Sequence, residues 1–189
     1  MRCAAICHLC LISSDTSVLS PVAIVPLANV VTPNQFEAEL LTGRPVRTEA
    51  DALAACDALH AMGPSTVVIT SMEIEGDQGF LSLYGSTTLA QEDGAPSRFR
   101  LRVPKLGSYF TGAGDLTAAL LLARTASCPG NLARATEQAV ASVQGVLLRT
   151  AEAASAGTKP SPESVELRLV QSAADVTQPV IVHRAETLQ

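Results

Sequence analysis

Two β-branched runs, Val22–Val31 and Thr66–Thr70, are separated by two helix-like segments, and this alternation constrains the fold more than any other feature. The first segment, Gln35–Thr42, has Asn34 placed to cap its start and Gly43 to stop it. The second, Thr48–Met62, is rich in Ala and Leu and ends at Gly63-Pro64. Strands and helices alternating at this spacing form βα units, whose stable packing is a sheet covered by helices. The next stretch differs. Gly79–Tyr84 and Phe99–Val103 read as strands on either side of a polar loop, a pattern for an antiparallel edge. A glycine-rich turn, Thr111–Gly114, then opens the most apolar helix, Asp115–Ala126, which Pro129-Gly130 breaks. A helix over Leu132–Arg149, a loop over Thr158–Pro162, a last helix over Glu163–Val170 and a final strand over Val180–His183 complete the pattern. Residues 1–21 read as an irregular head outside it, and 22–189 as one continuous α/β portion with a mostly parallel sheet.

Composition narrows the function. The net charge is −5, and Lys105 and Lys159 are the lysines; no Lys/Arg run forms a stripe able to release counterions from a phosphate backbone. Nucleic acid and anionic membrane surfaces are therefore not expected as partners. A small anion remains compatible, because backbone N–H groups hold phosphate without net positive charge. Aromatics make up 3% of the chain and Trp is absent, so aliphatic side chains and Ala must build the core.

Cys3, Cys7 and Cys10 flank His8 in the apolar head. No second ligand pair follows, so this spacing does not make a zinc site. Cys56 and Cys128, isolated on helical segments, read as small buried apolar residues. This usage suits a reducing compartment. Met1-Arg2 and the apolar stretch to Ile12 faintly resemble a secretory leader, but His8 interrupts it and no clear cleavage site follows. No segment is apolar over the length of a bilayer. A cytosolic location is the expectation.

Three constellations carry chemistry. In Thr111-Gly112-Ala113-Gly114-Asp115, two glycines flank a small residue where the chain enters an apolar helix. Backbone N–H groups there point outward at the positive end of the helix dipole and suit a phosphoryl group. Asp115 at the lip is placed to take a proton from an attacking hydroxyl. The same residues equally make an ordinary helix start with a stabilising acid. In Thr32-Pro33-Asn34-Gln35-Phe36-Glu37, Asn34 and Glu37 have capping-box spacing, worth about 1 kcal/mol. Glu37 also stands where strands of α/β proteins end at ligands, and its carboxylate can orient a hydrated Mg²⁺. Finally, Val67-Val68-Ile69-Thr70-Ser71 ends a strand in two hydroxyls, which serve either phosphate or a plain turn.

Together, in this order and spacing, the three resemble the ribokinase-like superfamily. Within it, Val25-Pro26-Leu27-Ala28, Thr32–Gly43, Met62–Ser71 and Lys159–Ser172 resemble animal-type pyridoxal kinases, the vitamin B6 kinases. The resemblance implies a ribokinase-like α/β fold lacking its first strands, and ATP-dependent phosphorylation of the 5′-hydroxymethyl group of pyridoxal, pyridoxine or pyridoxamine. It implies Asp115 as catalytic base and Gly112, Ala113 and Gly114 as the anion hole, with Ala113 standing where the family often has Thr. It assigns Asn34, Glu37, Thr70 and Ser71 to ATP and Mg²⁺, and Leu106, Gly107 and Ser108 to the loop beside the nucleotide base. Thr32, Glu37 and Thr70 resemble positions associated with a monovalent cation, K⁺ or Na⁺. The family is homodimeric and has a substantial N-terminal portion supplying early strands, most contacts to the pyridine ring and much of the dimer interface. In its place this sequence has the head, so much of that interface is expected to be missing. The alternative expectation is a truncated, non-catalytic chain that binds nucleotide or a partner at most.

Overall fold

The computed structural model describes residues 5–6, 24–89, 97–107, 110–155 and 166–188. The chain divides into two compact units, Met1–Pro104 with Ala185–Gln189, and Lys105–Arg184.

The first unit is a helix-flanked sheet. Its strands are β1 (Ala5–Ile6), β2 (Val30–Val31), β3 (Thr66–Met72), β4 (Phe80–Thr87), β5 (Ser97–Pro104) and β6 (Ala185–Leu188), hydrogen-bonded in that order. β1, β2 and β3 run parallel, whereas β4, β5 and β6 each pair antiparallel with the strand before. The sheet expected to be mostly parallel is thus mixed, and its antiparallel part extends the hairpin that the sequence pattern indicates. The head was expected to stay outside the sheet, but Ala5 and Ile6 pair with Val30 and Val31.

Helix α1 (Gln35–Thr42) has the bounds expected, and Gly43 closes it at φ 67°, a left-handed conformation. Helix α2 (Glu49–Met62) starts from a second capping box, in which Thr48 and Asp51 satisfy each other's backbone N–H. Hydrogen bonds to Asp51, first from the Thr48 side chain and then from the N–H groups of Arg47 and Thr48, hold its carboxyl below its ordinary range. Ala52, Ala55, Cys56 and Leu59 of α2 are buried with Val67, Ile69 and Tyr84 of the sheet. Small residues on the helix let it approach closely, so a core nearly free of aromatics still excludes water. Burial pushes the Cys56 thiol up to about 12, which leaves it an inert apolar residue.

Along β5 the pattern alternates strictly. Phe99, Leu101 and Val103 are buried, and Arg98, Arg100 and Arg102 project from the other face. Arg98 pairs with Asp57. Arg100 bridges Glu49 at 2.9 Å and Glu186 at 2.5 Å, and Arg102 pairs with Asp77. Tyr84, opposite Arg100, donates its hydroxyl to Glu49. Burial first, and then the Glu49 charge, raise that hydroxyl to about 12. Gly85 lies opposite Phe99, whose ring occupies the space a side chain would need: an added Cβ would come within 2.1 Å of it. Gly85→Ala is therefore expected to force the buried ring aside and cost about 1–3 kcal/mol. Urea unfolding should show this loss shrinking when Phe99 is also replaced by Leu; equal losses in both backgrounds would mean the ring is not the obstacle.

The second unit is helical. Helices α3 (Ala113–Ser127) and α4 (Leu132–Ser155) pack together, with the short α5 (Ala173–Thr177) against α4. Gly145 permits that last approach, since a Cβ there would meet Asp175 at 2.8 Å. Arg149 grips the same Asp175 at 2.9 Å, and Arg124 and Ser142 both donate to the carbonyl of Val176.

Several expectations fail. Val25–Leu27 forms a 3-10 turn rather than strand, leaving β2 two residues long. Glu166 forms an isolated parallel bridge with Thr111, and Leu167–Val170 is not helical. The final strand falls at Ala185–Leu188 instead of Val180–His183, and Val180 and Val182 are exposed. Cys128 is half-buried, its thiol beside Gln138. The expected loop over Thr158–Pro162 and the Cys3, His8, Cys7 and Cys10 cluster lie outside the described residues.

Candidate functional site

In the first unit, the residues singled out by sequence converge where β2 and β3 end. Asn34 Oδ1 accepts from the Glu37 N–H at 2.9 Å, and Glu37 Oε2 accepts from the Asn34 N–H at 2.8 Å. The capping box is therefore formed in full, and Glu37 is almost wholly buried. Asn34 forms an isolated parallel bridge with Thr70, whose N–H donates to the Pro33 carbonyl at 2.8 Å. Thr32, just ahead of this turn, is buried as well. Ser71 is exposed at an irregularity in the pairing of β3 with β4 and adopts φ 56°. Among the described residues it is the non-glycine with a left-handed backbone. Such a conformation is uncommon for a side chain and persists only where surrounding bonds enforce it.

Asn34, Gln35, Phe36, Glu39 and Ser71 line an open cleft of about 370 Å³. Asn34 and Ser71 were anticipated; Gln35, Phe36 and Glu39 were not. Phe36 is largely exposed on the cleft. Gln35 and Glu39, four residues apart on α1, turn inward to the chain that follows the helix. Gln35 Nε2 donates to the Val46 carbonyl, and Glu39 Oε1 accepts from the Val46 N–H.

The second unit holds the glycine-rich turn. Gly112 is the N-cap of α3 with φ 84°, and it offers no side-chain cap. Ala113, Gly114 and Asp115 are then the first three helical residues, whose N–H groups have no acceptor four residues back within the helix. A Cβ on Gly112 would find only Leu167 at 3.8 Å, so the backbone conformation rather than crowding calls for glycine. Gly114 and Asp115 are exposed in the first turn, where the dipole favours negative charge. This arrangement gives an anion a set of backbone donors, with a carboxylate beside it. Leu106 is half-buried and Gly107 exposed on the segment that leaves β5; Ser108 lies outside the described residues.

Metal chemistry has a narrower basis. Among the described residues no group of three or more His, Cys, Asp or Glu side chains could hold a metal ion. The donors at the ends of β2 and β3 are carboxylate, hydroxyl and carbonyl oxygens, which hard cations accept. No helix among the described residues is long and apolar enough to cross a membrane.

Comparison with known proteins gives a consistent result. A family model described as phosphomethylpyrimidine kinase matches residues 10–161, beginning inside the head that was expected to be unrelated. Pyridoxal kinase of Sus scrofa is 47% identical over 173 residues, covering 87% of this chain and 54% of that protein. Pyridoxal kinase of Arabidopsis thaliana is 46% identical over 165 residues and is covered to 52%. Among solved structures, pyridoxal kinase from Leishmania donovani in complex with ADP matches with a TM-score of 0.81 at 30% identity, over 95% of this chain and 61% of that one. The Trypanosoma brucei pyridoxal kinase matches with a TM-score of 0.74 at 33% identity. The chain spans about half the length of the curated relatives it matches.

Proposed function

Since this chain belongs to the phosphomethylpyrimidine kinase family, we propose that it carries the nucleotide-binding and proton-abstracting machinery of a vitamin B6 kinase. The reaction is transfer of the γ-phosphoryl group of ATP to the 5′-hydroxymethyl group of pyridoxal, pyridoxine or pyridoxamine. The observation that carries this reading is the identity of 47% over 173 residues to a pyridoxal kinase. Solved pyridoxal kinases from Leishmania donovani hold ADP together with pyridoxamine or pyridoxine, which supports this class of substrate.

Each residue then has a task. Asp115 takes the proton of the 5′-hydroxyl as its oxygen attacks phosphorus. The N–H groups of Gly112, Ala113 and Gly114 stabilise charge on the transferred phosphoryl oxygens, supplying donors without a side chain in the way. Asn34, Thr70 and Ser71 face the nucleotide phosphates, and Leu106, Gly107 and Ser108 border the base. Mg²⁺, when bound, neutralises charge on the phosphates. Glu37, whose Oε2 accepts from the Asn34 N–H, would orient a hydrated ion through its carboxylate. Thr32, Glu37 and Thr70 supply oxygen donors suited to K⁺ or Na⁺. We place the protein in the cytosol and, at the relatives' full length, in a homodimer.

Binding and turnover test different parts of this reading. ADP at 100 times its dissociation constant should stabilise the 189-residue chain by about 2.7 kcal/mol in thermal unfolding. No shift with ADP would remove the nucleotide site. A chimera that adds the portion of a full-length relative not spanned here should form pyridoxal phosphate from pyridoxal and MgATP. ADP binding without turnover in that chimera would mark a nucleotide-binding chain that is not a catalyst.

A further inference from the structure

We propose that Gln35 is a positioning residue that holds Ser71 in its left-handed conformation at the edge of the cleft; its consequence for catalysis rests on the nucleotide reading above. Gln35 lies in the first turn of α1 and is half-buried. Its Nε2 donates to the Val46 carbonyl at 2.6 Å, and its Oε1 accepts from the Glu73 N–H at 3.0 Å. A carbonyl can only accept and a backbone N–H can only donate, so the two partners fix the orientation of the amide. One side chain thereby ties the start of α1 to the loop between α1 and α2 and to the chain just beyond β3.

The loop end of this tie is firm. Val46 is fully buried, and its N–H donates to Glu39 Oε1 at 2.8 Å. The Arg47 carbonyl accepts from the Glu75 N–H at 3.2 Å. On the other side, Thr70 N–H donates to the Pro33 carbonyl at 2.8 Å. Ser71 thus stands between Thr70, held on the Pro33 turn, and a following pair in which Met72 is buried opposite Ser82 and Glu73 is bonded to Gln35. A residue at φ 56° must be held from both sides, because it otherwise relaxes to the extended backbone of a strand. Both Gln35 and Ser71 line the cleft. The amide of Gln35 spends a donor and an acceptor on backbone partners and frames the cleft, where Ser71 is exposed.

Two substitutions separate the bonds. Gln35→Leu removes both. Gln35→Glu keeps an acceptor for the Glu73 N–H but sets an oxygen against the Val46 carbonyl. Hydrogen exchange at the Glu73 amide should speed up at least tenfold in Gln35→Leu and less in Gln35→Glu, with exchange in the interior of α2 unchanged. In NMR spectra, the strong intraresidue HN–Hα contact that marks a left-handed Ser71 should weaken in Gln35→Leu. ADP affinity should fall about 5- to 20-fold in Gln35→Leu, and by no more than twofold when Ser71 is already Ala. If Glu73 exchange stays within twofold, or Ser71 keeps its left-handed signature in Gln35→Leu, the positioning role is overturned. If the parent chain does not bind ADP, the nucleotide reading fails, and the exchange and NMR results alone decide the role of Gln35.

Discussion

Asp115→Ala should lower kcat for pyridoxal phosphorylation by about 10² to 10⁴-fold, the usual worth of a positioned general base. The measurement belongs in the full-length chimera, with Asp115→Asn alongside as the closest neutral shape. ADP affinity should change little, because the donors proposed for phosphate at this turn are backbone N–H groups contributed by Gly112, Ala113 and Gly114. The fall should appear in kcat and in kcat/KM for pyridoxal alike, since the proton moves only as the transition state forms. Asp115 is exposed in the first turn of α3, where a surface charge near the helix dipole contributes a few tenths to about 1 kcal/mol, so a melting curve beside the activity assay separates stability from chemistry. A variant that melts with the parent yet turns over within a few-fold of it would show that the proton leaves by another route.

Gly112→Val should be nearly as damaging for a different reason. At φ 84° a β-branched residue is strained by about 1–3 kcal/mol, and the relief available is to flatten the turn that aims the first-turn N–H groups. Loss of such donors is worth about 10² to 10³-fold in kcat. An added Cβ meets nothing closer than 3.8 Å, so crowding does not contribute in Gly112→Ala. Gly112→Ala should therefore share most of the defect in spite of its small size. Melting temperatures should fall in both variants, and the activity loss should exceed what the lower folded fraction accounts for. Parent-like turnover in Gly112→Val would mean that the turn does not shape an anion site.

The parts of the fold that were legible in the sequence are those with local causes. Asn34 with Glu37 closes its own capping box, so α1 begins where the pattern puts it, and α2 begins one residue late because Thr48, read as its first residue, caps it with Asp51. The alternation of Arg98, Arg100 and Arg102 with Phe99, Leu101 and Val103 marks β5 as plainly. The misread elements depend on distant partners. Val25-Pro26-Leu27 has strand composition but bends into a 3-10 turn, where Gly63 approaches so closely that a Cβ would come within 2.9 Å of the Pro26 carbonyl. Val180–His183 is more apolar than Ala185–Leu188, yet the latter pairs with β5, joined by the ion pair from Arg100 to Glu186. The Thr111 bridge draws Glu166 out of the helical pattern, and the Thr150 hydroxyl accepts from the Arg168 N–H.

The site divides along the same line. Asn34, Glu37 and the Gly112–Asp115 turn are compact motifs, each readable within a few residues. Gln35 gave no signal, because a glutamine in a first helical turn is an ordinary helix former. Its partners, Val46 and Glu73, stand 11 and 38 residues away. The strain at Ser71 is equally silent in a sequence, since a serine after a buried strand carries no mark of its φ angle.

The chain leaves its sheet at Pro104 and returns at Ala185, after the whole of the second unit has been made. On the ribosome, β5 must therefore wait as an edge strand while the intervening helices are synthesised, a delay of several seconds at ordinary elongation rates. An apolar edge exposed for that long would invite pairing with a neighbouring nascent chain. Of the acids that pair with its arginines, Glu49, Asp57 and Asp77 precede β5 in the chain and are in place when it emerges, whereas Glu186 arrives with β6. Like charges facing each other disfavour a second β5 at that edge, whereas β6 brings Glu186 to Arg100, so the same side chains that fasten the finished sheet also guard it while it is incomplete.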